Sequence, residues 1–381
     1  MSRLTVLLLG LMSVTAFAGN YADKGTEASP QNNKVEEQHF YIDLGASEYY
    51  FNQPSMGLPL STGFGDVHPA SGPVTPFPNT SGASYDADNW AFAPSITLGY
   101  QFLTDNSDLQ AIFGQQNAIE LRGSYFHNTG SQSENYTDQP YYVNPAIITG
   151  VPRSDMYTSS YDMTNSTVDF DNTYENIGLY YTGNKVISNS LINSPYVGVD
   201  VSYLKQDSNY NADLYLPDSD NGGKPDYSDP DNYFDYIGSD NLSSYYMGLA
   251  FGDKATYLFE KNYGVYGELG AGVYWMHTKL SASQTPAANQ PDVMDQTILG
   301  TYTVDTSDDQ ATFKLNAEVG LNYYFKSNQD QMSPRVTLLA GLDYWNDVAY
   351  ADNPTEDGQM VKIAYDSAVN PYAGLQLHIP L

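Results

Sequence analysis

The chain has 381 residues, 45 of them acidic and 15 basic, for a formal net charge of −30. That balance excludes non-specific nucleic-acid binding, which needs a basic footprint, and 35 Tyr, 15 Phe and 3 Trp exclude a disordered acidic chain. With no cysteine, an exported fold here holds itself without disulfides, and any oligomer it forms is not disulfide-linked.

Arg3 precedes an apolar run from Leu4 to Ala18 that closes on Ala16-Phe17-Ala18. This reads as a signal peptide over residues 1–18, cut after Ala18. The run is shorter than the roughly 20 residues that a helix needs to cross a bilayer, which disfavours an uncleaved anchor. Residues 19–37 are polar and unpatterned, a flexible leader. Residues 38–381 form the single domain.

From residue 38 onward the dominant signal is period-2 alternation. In 311–325, Ala311, Phe313, Leu315, Ala317, Val319, Leu321, Tyr323 and Phe325 share one face. Thr312, Lys314, Asn316, Glu318, Gly320, Asn322 and Tyr324 share the other. One face suits lipid and the other a polar lumen, as in a transmembrane barrel strand. The same grammar marks 39–50, 90–102, 116–127, 167–181, 195–205, 242–251, 263–278, 335–345 and 369–381. Most of these reach the ~9–11 residues that a tilted strand needs to span the membrane. The prediction is therefore all-β: an antiparallel up-and-down transmembrane β-barrel of about ten strands, with eight to fourteen also compatible. Residues 296–305 are the segment most apt to add strands.

The connections alternate. Those at 51–89, 128–166, 206–241, 279–310 and 346–368 are long; those at 103–115, 182–194, 252–262 and 326–334 are short. Long extracellular loops and short periplasmic turns are the outer-membrane pattern, whereas a soluble sandwich or propeller has no reason to gather its long loops at one end. Tyr100, Phe102, Tyr323, Phe325 and Tyr344 fall at strand ends on the apolar face, where interfacial girdles belong. The chain is thus placed in the cell outer membrane, in contact with its lipid.

The inward phase carries Asp43, Glu120, Arg122, Asp200, Glu268, Lys314, Glu318, Arg335 and Asp343. An Arg or Lys facing hydrocarbon costs ~2–4 kcal/mol at the midplane, so a lumenal address is expected for them. Two readings stay open: the charges pair across a closed lumen, or they line an aqueous passage whose excess acid favours cations. About eight strands enclose only side chains, but ten are wider, and Gly45, Gly99, Gly270, Gly272, Gly320, Gly341 and Gly374 on the inward phase are expected to leave room.

The third long connection contains DSDNGGKPD at 218–226. Asp218, Asp220, Asp226 and Asp229 fall at places one, three, nine and twelve of a calcium loop, with Gly223 at six. Gly222 takes the fifth place and removes a ligand, so the segment reads as a solvated acidic loop or, at most, a weak site for loosely bound Ca²⁺. No other cofactor is implied.

The last third of the chain resembles the Legionella-type major outer-membrane protein family of pore-forming barrels. The resemblance is carried by NYGVYGELGAGVYWM (262–276), KLNAEVGLNYYF (314–325), VTLLAGLDYWNDV (336–348) and NPYAGLQLHIPL (370–381). It implies a pore. Members usually carry cysteines near the mature N-terminus that cross-link chains; none is present here. The chain also ends in Leu381, where many such barrels end in an aromatic residue.

Catalysis finds little footing. The histidines are His39, His68, His127, His277 and His378. An omptin-like protease needs an Asp–His couple and paired acids at the outer rim, for which Asp343 and Asp347 near His277 are the available set. A lipid hydrolase needs a Ser–His pair, for which Ser281 follows His277. No nucleophile–base–orienter set emerges, so an enzyme is not expected. The expected function is a pore passing small solutes with weak cation preference. The alternative is a closed barrel acting as an adhesin on host surfaces or other protein ligands, through loop tyrosines such as Tyr136, Tyr141, Tyr142, Tyr210, Tyr215, Tyr227 and Tyr233.

Overall fold

The computed structural model describes residues 38–381 except 55, 58–59, 62–83, 86–88, 136–140, 146–147, 150–160, 216–232, 261, 286–300, 326–332 and 355–358. The predicted signal peptide, the predicted leader up to residue 37 and the acidic segment with Asp218, Asp220, Asp226 and Asp229 lie outside the described residues.

Ten long strands close into a ring. They are β1 His39–Phe51, β2 Asn89–Leu103, β3 Gln116–Asn135, β4 Tyr161–Ser188 and β5 Leu191–Tyr215, then β6 Tyr233–Glu260, β7 Tyr263–Thr285, β8 Tyr302–Tyr324, β9 Arg335–Asp352 and β10 Lys362–Pro380. Each pairs antiparallel with its sequence neighbour, and β1 meets β10 from Tyr41↔Pro380 to Tyr49↔Tyr372. Closure leaves no free sheet edge in hydrocarbon, as a membrane-spanning sheet requires. No helix among the described residues is long and apolar enough to cross a membrane.

The outward face carries an apolar belt between two aromatic girdles. At the end with short turns, the periplasmic end by the outer-membrane pattern, Phe40 meets Tyr100 at 4.8 Å and Tyr263 meets Tyr323 at 5.3 Å. At the outer end, Tyr50 meets Trp90 at 5.2 Å, Tyr203 meets Tyr245 at 4.7 Å and Phe313 meets Tyr344 at 5.9 Å. On β6 the belt runs from Tyr257 to Tyr245 through Phe251, Leu249 and Met247, all exposed. At ~3.3 Å per residue and a tilt of ~40° that is about 30 Å of membrane.

The strands do not stop at the outer girdle. β5 continues past Lys205 to Tyr215, and β6 begins at Tyr233, so much of 206–241 is strand. Of 296–305, residues 302–305 belong to β8 and add no further barrel strand. The turns shorten correspondingly: Asn189 and Ser190 alone separate β4 from β5. Between β2 and β3 a short helix, α1 (Ser107–Phe113), is capped by Asn106, whose side chain accepts from the Asp108 and Leu109 amides at 2.9 and 3.2 Å.

Pairing changes at the outer girdle. β2–β3 pairing ends at Ser95↔Ser124, β8–β9 pairing at Lys314↔Trp345 and β1–β10 pairing at Tyr49↔Tyr372. Beyond these points β3 to β8 stay paired as one six-stranded leaf, up to Asn135↔Asn165 on one side and Tyr302↔Gln284 on the other. The hairpins β1–β2 and β9–β10 face it. Phe126, Leu204, Leu242, Met276, Leu280 and Val304 of the leaf share one buried cluster with Phe51, Trp345, Val348, Ala349 and Val361 from the opposing side. The barrel in the membrane therefore becomes a packed sandwich above it.

Candidate functional site

β7 shows how the sequence builds a polar chamber below and a packed seal above. Its inward phase runs Tyr266, Glu268, Gly270, Gly272 and Tyr274 within the membrane, then Met276, Thr278, Leu280 and Ala282 above it. Its outward phase inverts at the same height, from Val265, Val273 and Trp275 to His277, Lys279 and Ser281. Polar groups face the lumen where lipid lies outside, and apolar groups face inward where water lies outside.

Below the seal is a cavity of about 530 Å³. All nine charged residues assigned to the lumen line it: Asp43, Glu120, Arg122, Asp200, Glu268, Lys314, Glu318, Arg335 and Asp343. Lys254 and His378 line it as well. Lys254 falls in the predicted turn 252–262, yet Tyr257 and Phe259 keep the outward period going beyond it and are the signal that β6 continues. The cavity reaches Tyr324, Arg335 and His378 at the periplasmic end and stops at Tyr49, Phe126, Tyr174 and Trp345 at the seal.

Tyrosine hydroxyls hold most of the carboxylates. Asp200 accepts from Tyr180 at 3.0 Å, Tyr274 at 3.2 Å and Asn176 at 2.7 Å. Glu318 accepts from Tyr266 at 2.5 Å and Tyr372 at 2.9 Å, and Asp343 from Tyr49 at 3.2 Å. Tyr41 donates to Glu120, which is also bridged by Arg122 at 2.6 Å. Arg122 lies 4.4 Å from the centre of the Tyr180 ring and 4.9 Å from that of Tyr196. Near the periplasmic end, His378 Nδ1 lies 2.6 Å from Asp43 Oδ1. Lys254, Glu268 and Glu318 sit directly opposite one another on β6, β7 and β8, so two carboxylates adjoin in one row.

The inward glycines do not leave the room expected of them. A Cβ on Gly99 would overlap the Tyr41 ring, one on Gly320 the Tyr266 ring and one on Gly341 the Tyr372 ring. Each of these three glycines is the seat of a neighbouring tyrosine, and the seat lets the ring lie flat on the wall with its hydroxyl at a carboxylate, whereas Gly45 and Gly374 face Ser95 and Ser47.

Lys314 occupies the boundary between chamber and seal. Its Nζ lies 4.0 Å from the ring centres of Tyr246 and Trp345, 5.2 Å from Tyr274 and 5.3 Å from Tyr174, and donates to Ser202 Oγ at 3.1 Å. Among the described residues, the ion pair within the chamber is Glu120–Arg122, and the Asp43–His378 contact becomes a second one only when His378 is protonated.

The rim residues settle differently from the sequence expectation. His277 Nδ1 lies 2.8 Å from Asp309 on the outer surface of the wall, and its ring stacks on Trp275 at 5.8 Å. Asp343 faces the chamber instead, bonded to Tyr49, so the His277–Asp343 couple does not form. Tyr210, expected on a loop surface, is buried inside the outer sandwich against Tyr236 at 6.0 Å, because β5 extends through it. Tyr141 and Tyr142 pair with Met163 and Asp162 at the start of β4, and Tyr215 pairs with Tyr233.

A closed ring of antiparallel strands with an apolar belt, two aromatic girdles and a charged interior defines a transmembrane β-barrel of the outer-membrane type. No family model matches the sequence, and no curated protein matches it. Among solved structures the chain is similar to the outer membrane protease OmpT from Escherichia coli, at 10% identity and TM-score 0.38, covering 92% of this chain and 100% of that one. It is also similar to the transport unit of the autotransporter AIDA-I from Escherichia coli, at 7% identity and TM-score 0.27, covering 96% and 97%. A Pseudomonas aeruginosa FadL homologue matches at 11% identity and TM-score 0.21, covering 91% of each chain.

Proposed function

We propose that the protein is an outer-membrane pore for small solutes with a weak preference for cations, exported by a signal peptide cut after Ala18 and held shut at its outer end by the packed sandwich. The observation that carries this reading is the chamber whose carboxylates are held by tyrosine hydroxyls. A hydroxyl orients a carboxylate but does not cancel its charge. Six acids, four bases and His378 line the cavity, a formal excess of negative charge with His378 neutral, in a low-dielectric surround that strengthens its attraction for counter-ions. A purely structural interior would cross-pair its charges, and Asp200, Glu318 and Asp343 have no basic partner within an ion-pair distance among the described residues. The likeness of residues 262–381 to the Legionella-type pore-forming family supports the same reading.

Purified protein in a planar bilayer, with a KCl gradient across it, provides the test. Discrete conductance steps with a cation-selective reversal potential support the pore. Silence at high protein occupancy supports a second reading, a closed barrel that works as a surface interaction protein. The observation favouring that alternative is the wall itself: β4 to β8 rise well beyond the outer girdle, and their mouth is filled by Phe51, Val348 and Ile148, each fully buried.

A further inference from the structure

The end wall of the chamber is a box of aromatic rings built around an ammonium group. Tyr174 on β4, Tyr246 on β6, Tyr274 on β7 and Trp345 on β9 surround Lys314 Nζ, two of them at 4.0 Å. Ring faces attract a cation within about 6 Å of their centroids, and boxes of this kind recognise organic ammonium ions. Lys314 reaches in from β8 and makes no ion pair within 4 Å among the described residues. Its charge is met at contact distance by ring faces and the Ser202 hydroxyl, and from further off by Asp200 and Asp343. The chamber borders the box directly, since Tyr174, Tyr274, Trp345 and Lys314 all line the cavity. Asp200 and Asp343 stand beside it, oriented by Tyr274 and Tyr49.

A lysine held only for packing needs no box of four rings, and a lysine held to neutralise acids would contact one. We propose that the Lys314 box is a binding site for solutes bearing a primary alkylammonium group, which enter the chamber and take the place of the lysine head among the rings. This rests on the pore reading for the solute's onward passage, but not for its binding. Asp200 and Asp343 supply the long-range attraction that draws the guest to the end wall; the rings supply the fit. Lys314 and Trp345 are also the last cross-strand pair before β8 and β9 part. A guest that lifts the lysine off Trp345 therefore acts at the seam where the sandwich begins.

The test is calorimetric titration of n-butylammonium chloride into the detergent-solubilised full chain, with n-butanol as the neutral control of the same shape. Lys314→Met keeps the stem and removes the competing charge, so it is expected to bind n-butylammonium at least tenfold more tightly than the parent. Lys314→Arg keeps a cation in the box and is expected to bind no better than the parent. Trp345→Ala, in the native background, is expected to weaken whatever binding the parent shows. Heat-modifiable gel migration checks that each variant is folded. Equal affinity of the parent and Lys314→Met, a response to n-butanol matching that to n-butylammonium, or no saturable heat in folded Lys314→Met overturns the site. If Lys314→Met does not fold, Trp345→Ala decides: binding equal to the parent's overturns the site. Bilayer conductance of the same samples separates the two readings. Conductance steps without an ammonium response remove the site and leave the pore, and an ammonium response without steps does the reverse.

Discussion

Asp240 is fully buried in the outer sandwich, where its Oδ2 accepts from Asn353 Nδ2 at 2.7 Å while Oδ1 has no partner among the described residues. It lies five positions outward of the girdle residue Tyr245, above the membrane. Burial pushes its carboxyl up from the ordinary 3.8 to about 6, against a smaller lowering by the Asn353 bond. A folded-state value above the unfolded one means that the native state holds the proton longer. Stability is therefore full below about pH 4, falls as pH rises through the window from 3.8 to about 6, and stays lower above it. At about 1.4 kcal/mol per unit the cost at neutral pH is on the order of 3 kcal/mol. Asp240→Asn keeps an acceptor for Asn353 and removes the charge. It is expected to raise the thermal midpoint at pH 7.5 and to match the parent below pH 4; no difference at pH 7.5 would show that Asp240 is solvated in the native protein. On the pore reading, a carboxylate in the chamber is expected to act on ion preference. Asp200→Asn leaves Tyr180 and Tyr274 a carbonyl to bond but removes one charge that no ion pair meets among the described residues, and should lower the cation-to-anion permeability ratio roughly twofold. An unchanged reversal potential would place the selectivity elsewhere.

The element that makes the chamber is a strand carrying glycine and tyrosine on its inward phase. Gly320 on β8 lies under the ring of Tyr266 from β7, and that ring's hydroxyl bonds Glu318 two residues along β8. Gly320→Val should therefore cost on the order of 1–3 kcal/mol as an overpacked contact. Adding Tyr266→Leu should restore the heat-modifiable fold by clearing the space, while leaving Glu318 without that donor. If the double variant is no more stable than Gly320→Val alone, the seat has no part in the wall's stability. The same strands explain how far the sequence could be read. The lumenal charges were legible because a charge on the apolar phase of a membrane strand is costly, so the alternation alone assigned Asp43, Glu268, Lys314 and the others to one face. Strand lengths were not, because both faces exchange polarity at the outer girdle. Beyond Trp275 the period of β7 continues with its phase inverted, and a pattern sought as apolar-outward ends there. Lys254 was missed for a related reason: Gly252-Asp253-Lys254 reads locally as a turn, although Tyr257 and Phe259 carry the outward period to the true end of β6 at Glu260. The seats were hidden as well, since a glycine in a strand shows its own lack of a side chain but not the ring that a neighbouring strand lays over it.

For the whole molecule the decisive feature is that one chain closes twice, as a ring in lipid and as a sandwich above it. The ring is held by a continuous hydrogen-bonded ladder. The sandwich is held by apolar contact and a few cross-links between its halves: Tyr365 to Asp308 at 3.0 Å, Asn353 to Asp240 at 2.7 Å, Asn172 to Gln53 at 2.9 Å, and Tyr246 to the Asp347 carbonyl at 3.4 Å. Among the described residues, no ladder crosses from β8 to β9 above Lys314↔Trp345, or from β2 to β3 above Ser95↔Ser124. Parting the halves therefore breaks side-chain packing and two short backbone links, Leu60–Ser61 to Asn144–Pro145 and Val361 to Ile148, while the ladders among the ten long strands stay intact, which makes the outer closure the part of the fold that opens with least loss. On the pore reading proposed above, conduction is expected when the halves separate and silence when they are joined. Because the chain has no cysteine of its own, Asp308→Cys with Tyr365→Cys places one thiol on each side of the seam and nowhere else. Joining them with a short reducible cross-linker should abolish conductance steps in a planar bilayer, and reductant should restore them, while either single variant responds to neither treatment. Steps that persist at full cross-linking would mean that solutes cross without the β8–β9 seam opening, and the route would then have to run through one of the other gaps, between β2 and β3 or between β1 and β10.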